Sequence, residues 1–415
     1  MRNQISLWIL IFTVLLVDIY IFQAIKTAVQ PFSPRMKTGV YILYWMVTVL
    51  VFLTIMIMPH MHPDNWMQGF HIYWIAGIIG LIFSKLVTVI FLLIDDIRRL
   101  IQWGGEKLYG QFSSGEPVQT AGISRSVFMS WLGLAIGGSL MSAFMYGFTN
   151  RYRYQLRKVK LQFPNLPEAF RGLKMIQISD IHSGSFSDKK AVEHGVKMIL
   201  EQNADIILFT GDLVNDEAVE MKSYRQIFGR LQAPMGVFSI LGNHDYGDYK
   251  HWANPEEKKQ NLERLKQLQS EMGWRLLMNE HVVLEKEGQQ IALLGIENWG
   301  AKANFPKYGK LDEAFAGTEK YPFKILMSHD PSHWDAQIRP EYGDIDLTLS
   351  GHTHGFQFGV EIPGFKWSPV QYVYKQWAGL YEEGRQKLYV NRGFGFLGYP
   401  GRVGILPEIT VIELA

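Results

Sequence analysis

Four apolar runs, each about 20 residues long, fill the first 150 positions of this 415-residue chain. They lie near 5–25, 39–58, 70–94 and 127–148, and an α-helix of about 20 apolar residues is what crossing a bilayer requires. The second and fourth carry no charged side chain. A cleaved signal peptide is the rival reading of the first run. It is too long for that, lacks a small-residue cleavage site and is followed by three more spans, so an uncleaved helix is expected. A membrane module over 1–150 therefore precedes a second part over 151–415 with ordinary globular composition.

Within the runs, Asp18 and Lys85 are the only acidic and basic residues placed deep. Charges at that depth are costly and turn to a partner or the bundle interior. Both lie about two-thirds along helices that cross in the same direction, so an Asp18–Lys85 ion pair is expected. The loop over 26–37 holds three basic residues, the loop over 95–125 holds four, and that over 60–69 none. This bias puts the basic loops in the cytoplasm and the large part outside it. Arg151, Arg153, Arg157, Lys158 and Lys160 pull the other way, unless they form a basic skirt on anionic lipid. His60 and His62 imitate a metal-ligand pair, but without a carboxylate shell they read as a solvated loop.

The balance of 41 basic against 39 acidic residues suggests no nucleic-acid partner. With no cysteine, the chain has no disulfide, thiolate metal site or Cys nucleophile. From Lys174 onward, short apolar runs at 175–179, 206–210, 237–241, 291–295, 323–328 and 345–350 read as buried strands. Helical spacing at 188–202 and 256–271 falls between them, which predicts an α/β domain with functional groups at strand ends.

Five polar blocks follow these runs: Asp180-Ile181-His182, Gly211-Asp212, Gly242-Asn243-His244-Asp245, Ser328-His329 and Gly351-His352-Thr353-His354. Carboxylate oxygens, imidazole nitrogens and one amide oxygen suit divalent Mn, Fe or Zn. Asp180 and His182 can turn toward one ion, Asp212 can bridge two, Asn243 can serve the second, and His329, His352 and His354 complete the shells. Two ions about 3.5–4 Å apart can activate water for in-line displacement at phosphorus. His244, beside Asn243, can protonate the leaving oxygen, and Asp245 is expected to orient that imidazole or raise its pKa. Alone, any one block would read as structural; the five in this order, each after a strand-like run, point to a dinuclear phosphoesterase.

These blocks resemble the calcineurin-like metallophosphoesterase superfamily over roughly residues 155–415, closest to its bacterial membrane-associated branch. The stretch 167–173 leading into Ile178-Ser179-Asp180-Ile181-His182 carries the likeness. So do Gly379-Leu380-Tyr381, Val390-Asn391-Arg392-Gly393 and Pro407-Glu408-Ile409 near the end. The resemblance implies a four-layer αββα sandwich in the bacterial inner membrane's company. It also implies that Asp180, His182, Asp212 and His354 bind one ion, that Asp212, Asn243, His329 and His352 bind the other, and that His244 is catalytic. Phe356 stands where related sequences often have a second glycine.

Tethering to a bilayer favours a lipid-linked or membrane-proximal phosphorylated substrate. Among Phe365, Trp367, Tyr372, Tyr374 and Trp377, with Phe394, Phe396, Leu397 and Tyr399, some are expected in the core, which is the commoner place for any one of them, and the group offers an apolar rim. The competing readings are a membrane sensor or transport-associated protein with a regulatory phosphoesterase-like part, and a metal-binding but idle scaffold.

Overall fold

The computed structural model describes residues 2–57, 68–109, 125–302 and 305–415. His60 and His62 lie outside the described residues. Contacts divide the chain into two compact units, Met1–Tyr146 and Gly147–Ala415.

The first unit is helical: α1 (Arg2–Ala28), α2 (Pro34–Ile57), α3 (Gln68–Tyr109) and α4 (Arg125–Gly147), the last ending where the second unit begins. All four are long and apolar enough to cross a membrane. Their outward surface is hydrocarbon, with Phe12, Ile42, Leu43, Met46 and Ile90 exposed, whereas Asp18, Ser84, Lys85 and Thr88 are buried. This polarity inverts that of a water-soluble protein. Helices in lipid gain nothing by hiding leucine, so they associate through close backbone approach and hydrogen bonds. Gly133 and Gly137 supply that approach for α3 and α4: a Cβ on Gly137 would sit 2.2 Å from Thr88 Oγ1. Thr88 Oγ1 in turn donates to the Gly133 carbonyl at 3.1 Å.

The expected pair is present, with Lys85 Nζ donating to Asp18 Oδ1. Tyr44 on α2 adds a hydrogen bond to the same oxygen at 2.7 Å, so three helices meet on one carboxylate. Helix three differs from expectation, running fifteen residues past position 94 to Tyr109. Arg98 pairs with Asp95 at 2.8 Å and Arg99 reaches Asp95 at 3.4 Å, three- and four-residue spacings that hold charges on one helical face. Those charges prolong the helix instead of starting a loop.

Among the described residues, fourteen strands build the second unit. In chain order they are β1 (Gln155–Leu161), β2 (Lys174–Ile178), β3 (Ile206–Phe209), β4 (Val237–Ser239), β5 (Trp274–Leu276), β6 (Glu280–Lys286) and β7 (Gln289–Gly295). There follow β8 (Lys324–Met327), β9 (Leu347–Ser350), β10 (Val360–Ile362), β11 (Phe365–Trp367), β12 (Gly379–Glu383), β13 (Gln386–Val390) and β14 (Glu408–Leu414). One six-stranded sheet runs β1-β14-β2-β3-β4-β5 and the other β12-β13-β9-β8-β7-β6, with β10 and β11 as a separate hairpin. In each sheet the central strands are parallel and read as continuous apolar runs, as strands covered on both faces must.

Three apolar layers follow from that. Met175, Leu208, Phe238, Leu293, Ile325 and Leu349 fill the space between the sheets. The far face of the first sheet packs on α5 (Lys189–Leu200), α6 (Arg225–Phe228) and α7 (Pro255–Glu271) through Val192, Val196, Phe228, Leu265 and Leu268. The far face of the second packs on α8 (Leu311–Phe315) and the turn around Trp334. The architecture is the four-layer αββα sandwich. Helix starts are set by side-chain caps: Asp188 accepts from Ala191 N at 3.1 Å, and Asn254, ahead of Pro255, accepts from Glu257 N at 2.9 Å.

Candidate metal centre

The polar blocks follow the carboxyl ends of β2, β3, β4, β8 and β9, where parallel strands of both sheets release their chains on one edge. Each chain must turn sharply there. Asp180, His182, Asp212, His352 and His354 all take positive φ, between 48° and 71°. Such backbone costs about 1–3 kcal/mol for a residue with a side chain, and it persists only where surrounding bonds enforce it. Glycines make the crowding feasible. A Cβ at Gly351 would lie 1.9 Å from Ser179 Oγ, and one at Gly211 2.8 Å from His329 Nδ1.

The side chains gather into two groups, Asp180–His182–His354 and Asp212–His329–His352, each with its ligand atoms within 4.8 Å of one another. In the first, His354 Nε2 is 3.3 Å from Asp180 Oδ1, and the Asp180 carboxylate also accepts the His352 amide at 3.0 Å. In the second, His329 Nε2 is 3.1 Å from Asp212 Oδ2. The two groups meet there, since His182 Nε2 lies 3.5 Å from the same oxygen. Asn243 joins the second group through a 2.8 Å contact of its Oδ1 with His352 Nδ1, while its Nδ2 donates to Tyr249 Oη at 2.9 Å.

The donor set fits divalent ions. Both ring nitrogens of His182, and Nε2 of His329 and of His354, are buried with no hydrogen-bond partner. Buried polar atoms are almost always paired, so unpaired nitrogens facing carboxylates mark a place for a cation. Outer contacts aim the rings. His329 Nδ1–H donates to the Thr210 carbonyl at 2.7 Å, which turns Nε2 inward. His352 Nε2 contacts Tyr374 Oη at 2.9 Å, and Tyr374 donates to Asp330 at 3.4 Å.

Electrostatics follow from burial and from the two carboxylates. Burial pushes the His182 imidazole down to about 3, which keeps it neutral. Burial would do the same to His329, but the adjacent Asp212 carboxylate outweighs it and raises that imidazole to about 10. Burial works to raise Asp212 too, yet His329 and His244 hold its carboxyl well below the usual range. Asp180 and Asp212 are thus charged in a dry site that holds imidazoles and, acting on Asp180, the buried Arg402 guanidinium.

His244 stands at the edge, half-buried, with its Nδ1–H donating to the Asn215 carbonyl at 2.8 Å. Asp245 does not orient it. The Asp245 carboxylate instead accepts the amides of Gly242 (2.9 Å), Asp212 (2.9 Å), Leu213 (2.8 Å) and Val214 (3.3 Å). The short 3₁₀ turn His244–Tyr246 sends the neighbouring side chains apart. Burial, and then the charge of Asp212, push the Asp245 carboxyl up to about 7. Asp245 is therefore a positioning residue for the Asp212 loop.

Sequence reading missed its counterpart, Glu220. That carboxylate accepts the amides of Asn215 (2.7 Å), Asp216 (3.0 Å) and Glu217 (2.9 Å), so two carboxylates claim six consecutive amides from Asp212 to Glu217. The same loop carries Asp212 and the carbonyl that holds His244. Tyr374, Tyr249, Asp330 and Asn215 were missed as well. Only Asp330, adjacent to His329, had a local signal. The expected rim shrinks: Tyr374, Trp377, Phe394 and Phe396 are buried in the core, whereas Phe365 and Tyr372 are exposed. Phe356 is 61 % exposed at φ 59°, a left-handed backbone that favours glycine.

Residues 173–356 match the family model described as calcineurin-like phosphoesterase. Residues 1–151 match another described as probable calcineurin-like phosphoesterase, transmembrane domain. The chain thus carries a calcineurin-like phosphoesterase domain preceded by an N-terminal four-helix transmembrane domain of the kind found with such phosphoesterases. It is 28 % identical over 318 residues to the "Transmembrane protein with metallophosphoesterase domain" of Danio rerio, covering 74 % of this chain and 67 % of that one. It is 27 % identical over 300 residues to the uncharacterized metallophosphoesterase YkuE of Bacillus subtilis, covering 70 % of this chain and 98 % of that one. Against the phosphodiesterase YaeI of Escherichia coli it is 27 % identical over 248 residues, 58 % of this chain and 82 % of the relative.

Proposed function

We propose that this chain is a membrane-anchored phosphoesterase holding two divalent ions, Mn, Fe or Zn, and hydrolysing a phosphomonoester, phosphodiester or pyrophosphate bond. One observation carries the reading: Asp212 Oδ2 faces His329 Nε2 at 3.1 Å and His182 Nε2 at 3.5 Å, so one carboxylate oxygen serves both ligand groups. Asp180, His182, Asp212 and His354 would hold one ion, and Asp212, Asn243, His329 and His352 the other. Bound ions supply activation of a water and stabilisation of charge on the phosphoryl oxygens.

The protein's own groups do the rest. Thr210 keeps the His329 lone pair pointed inward, and Asn215 keeps His244 Nε2 free to give a proton to the leaving oxygen. Asp245 and Glu220 hold the loop between them in register. The substrate class we assign is a lipid-linked or membrane-proximal phosphate, supported by the four spans in the same chain and by exposed Phe365 and Tyr372. The basic residues at the helix ends, over 26–37 and 98–125, favour a catalytic unit on the extracytoplasmic side of a bacterial inner membrane.

The test is turnover of a generic phosphodiester with Mn²⁺ by purified full-length protein, beside Asp212→Asn and His244→Ala. His244→Ala is expected to lose about 10²–10⁴-fold, the usual worth of a positioned acid. Wild-type activity no higher than that of the variants would refute the reading.

A further inference from the structure

The β10–β11 hairpin wears its apolar face outward. Its register pairs Val360 with Trp367 and Ile362 with Phe365 on one face, and Glu361 with Lys366 on the other. The charged face carries the bonds to the rest of the protein, Glu361 being half-buried and Lys366 exposed, while Trp367 on the apolar face is half-buried. Glu361 accepts from Arg392 at 2.7 and 3.1 Å and from Arg157 at 2.8 Å, and Lys366 Nζ donates to the Ala378 carbonyl at 2.5 Å. These bonds lock the orientation, leaving Val360 44 %, Ile362 58 % and Phe365 54 % exposed. A hairpin on a soluble protein does the reverse, and contiguous exposed apolar surface marks an interaction site. Tyr372, 77 % exposed, extends the patch through a 3.5 Å contact of its Oη with Trp367 Nε1. Tyrosine and tryptophan are the residues enriched where lipid meets water.

The root of the hairpin stands where the chain leaves its last span. Gly147, which closes α4 and opens the second unit, accepts the Arg402 amide at 2.9 Å. The next residue, Val403, bridges to Phe358, and its carbonyl accepts the Gly359 amide at 2.9 Å, immediately before β10. We propose that the β10–β11 hairpin inserts its apolar face into the headgroup–acyl boundary of the bilayer that holds the four helices. The lipid is the occupant because the root of the hairpin is hydrogen-bonded, through residues 402 and 403, to the end of a candidate membrane span, Ser126–Asn150. This second anchor would fix the sandwich against the surface. It goes beyond the phosphoesterase reading and does not need it.

Since the chain has no cysteine, single cysteines can be placed without background. Ile362→Cys, Phe365→Cys and, as a control, Val219→Cys (64 % exposed on the same unit) are labelled with an environment-sensitive dye. The full chain is then reconstituted in phosphatidylethanolamine–phosphatidylglycerol vesicles. Dyes at 362 and 365 are expected to shift to the blue and to be quenched several-fold more by acyl-chain nitroxide lipid than by aqueous iodide, with the order reversed at 219. Iodide quenching at 362 and 365 equal to that at 219 overturns the proposal. Protection from both quenchers also overturns it, because a protein surface then covers the hairpin. No turnover is needed, so the outcome is separate from that of the catalytic reading.

Discussion

Asp18 in the membrane unit and Asp212 in the sandwich are both carboxylates withdrawn from solvent, and they are neutralised in opposite ways. Asp18 finds its partners within its own unit, both on Oδ1: the ammonium of Lys85 and the hydroxyl of Tyr44, each fixed on a different helix, while its buried Oδ2 has no hydrogen-bond partner. Asp212 faces imidazoles, and the rings around it keep buried nitrogens without partners. A carboxylate closed by a permanent cation is a structural joint. One ringed by imidazoles, of which His182 keeps both ring nitrogens unpaired, has the donor set of a site for an ion that arrives from outside. The same residue type thus takes two roles, and its partners decide which.

Breaking the joint has the largest expected effect on stability. Lys85→Met leaves Asp18 uncompensated and is expected to cost about 3–5 kcal/mol. Adding Asp18→Asn restores most of that loss. The check is the unfolding midpoint of the full chain in detergent micelles; a single variant as stable as wild type breaks the contrast.

The loop clamp should matter less, and only at the catalytic end. Glu220→Gln keeps the side chain's size but loses the charge that gathers the amides of 215–217, so the Asn215 carbonyl drifts from His244. Support of this outer kind is worth about 10–100-fold in affinity or activity. The expected signature is a fall in kcat with metal content unchanged; a fall in metal content alone places Glu220 with the ligands instead. Tyr374→Phe, which removes the hydroxyl on His352 Nε2, should show the opposite split at the lower end of that range: weaker metal binding, restored by excess Mn²⁺.

Much of the architecture was legible because parallel, doubly covered strands are short apolar runs. The runs at 175–179, 206–210, 237–241, 291–295, 323–328 and 345–350 correspond to β2, β3, β4, β7, β8 and β9. The edge strands were not legible. In β1, exposed Lys158 and Lys160 alternate with half-buried Arg157 and Val159, so the segment reads as a basic cluster trailing a span. The candidate ligand residues could be named since each sits within a few positions of a strand end. The residues that aim them could not, because Thr210 serves His329 across 119 positions and Tyr374 serves His352 across 22. Asp245 misled for the converse reason. Adjacency to His244 suggested a shared task, but a tight turn separates neighbours and gives the carboxylate to backbone amides.

The central claim is that Asp212 joins two metal groups into one centre. The most direct measurement is the metal content of purified full-length protein after Mn²⁺ loading and removal of free ion, compared with that of Asp212→Asn. The account predicts two ions per wild-type chain and loss of both, or retention of one held weakly, in the variant. Two ions held equally well by Asp212→Asn, or none by the wild type, contradict it.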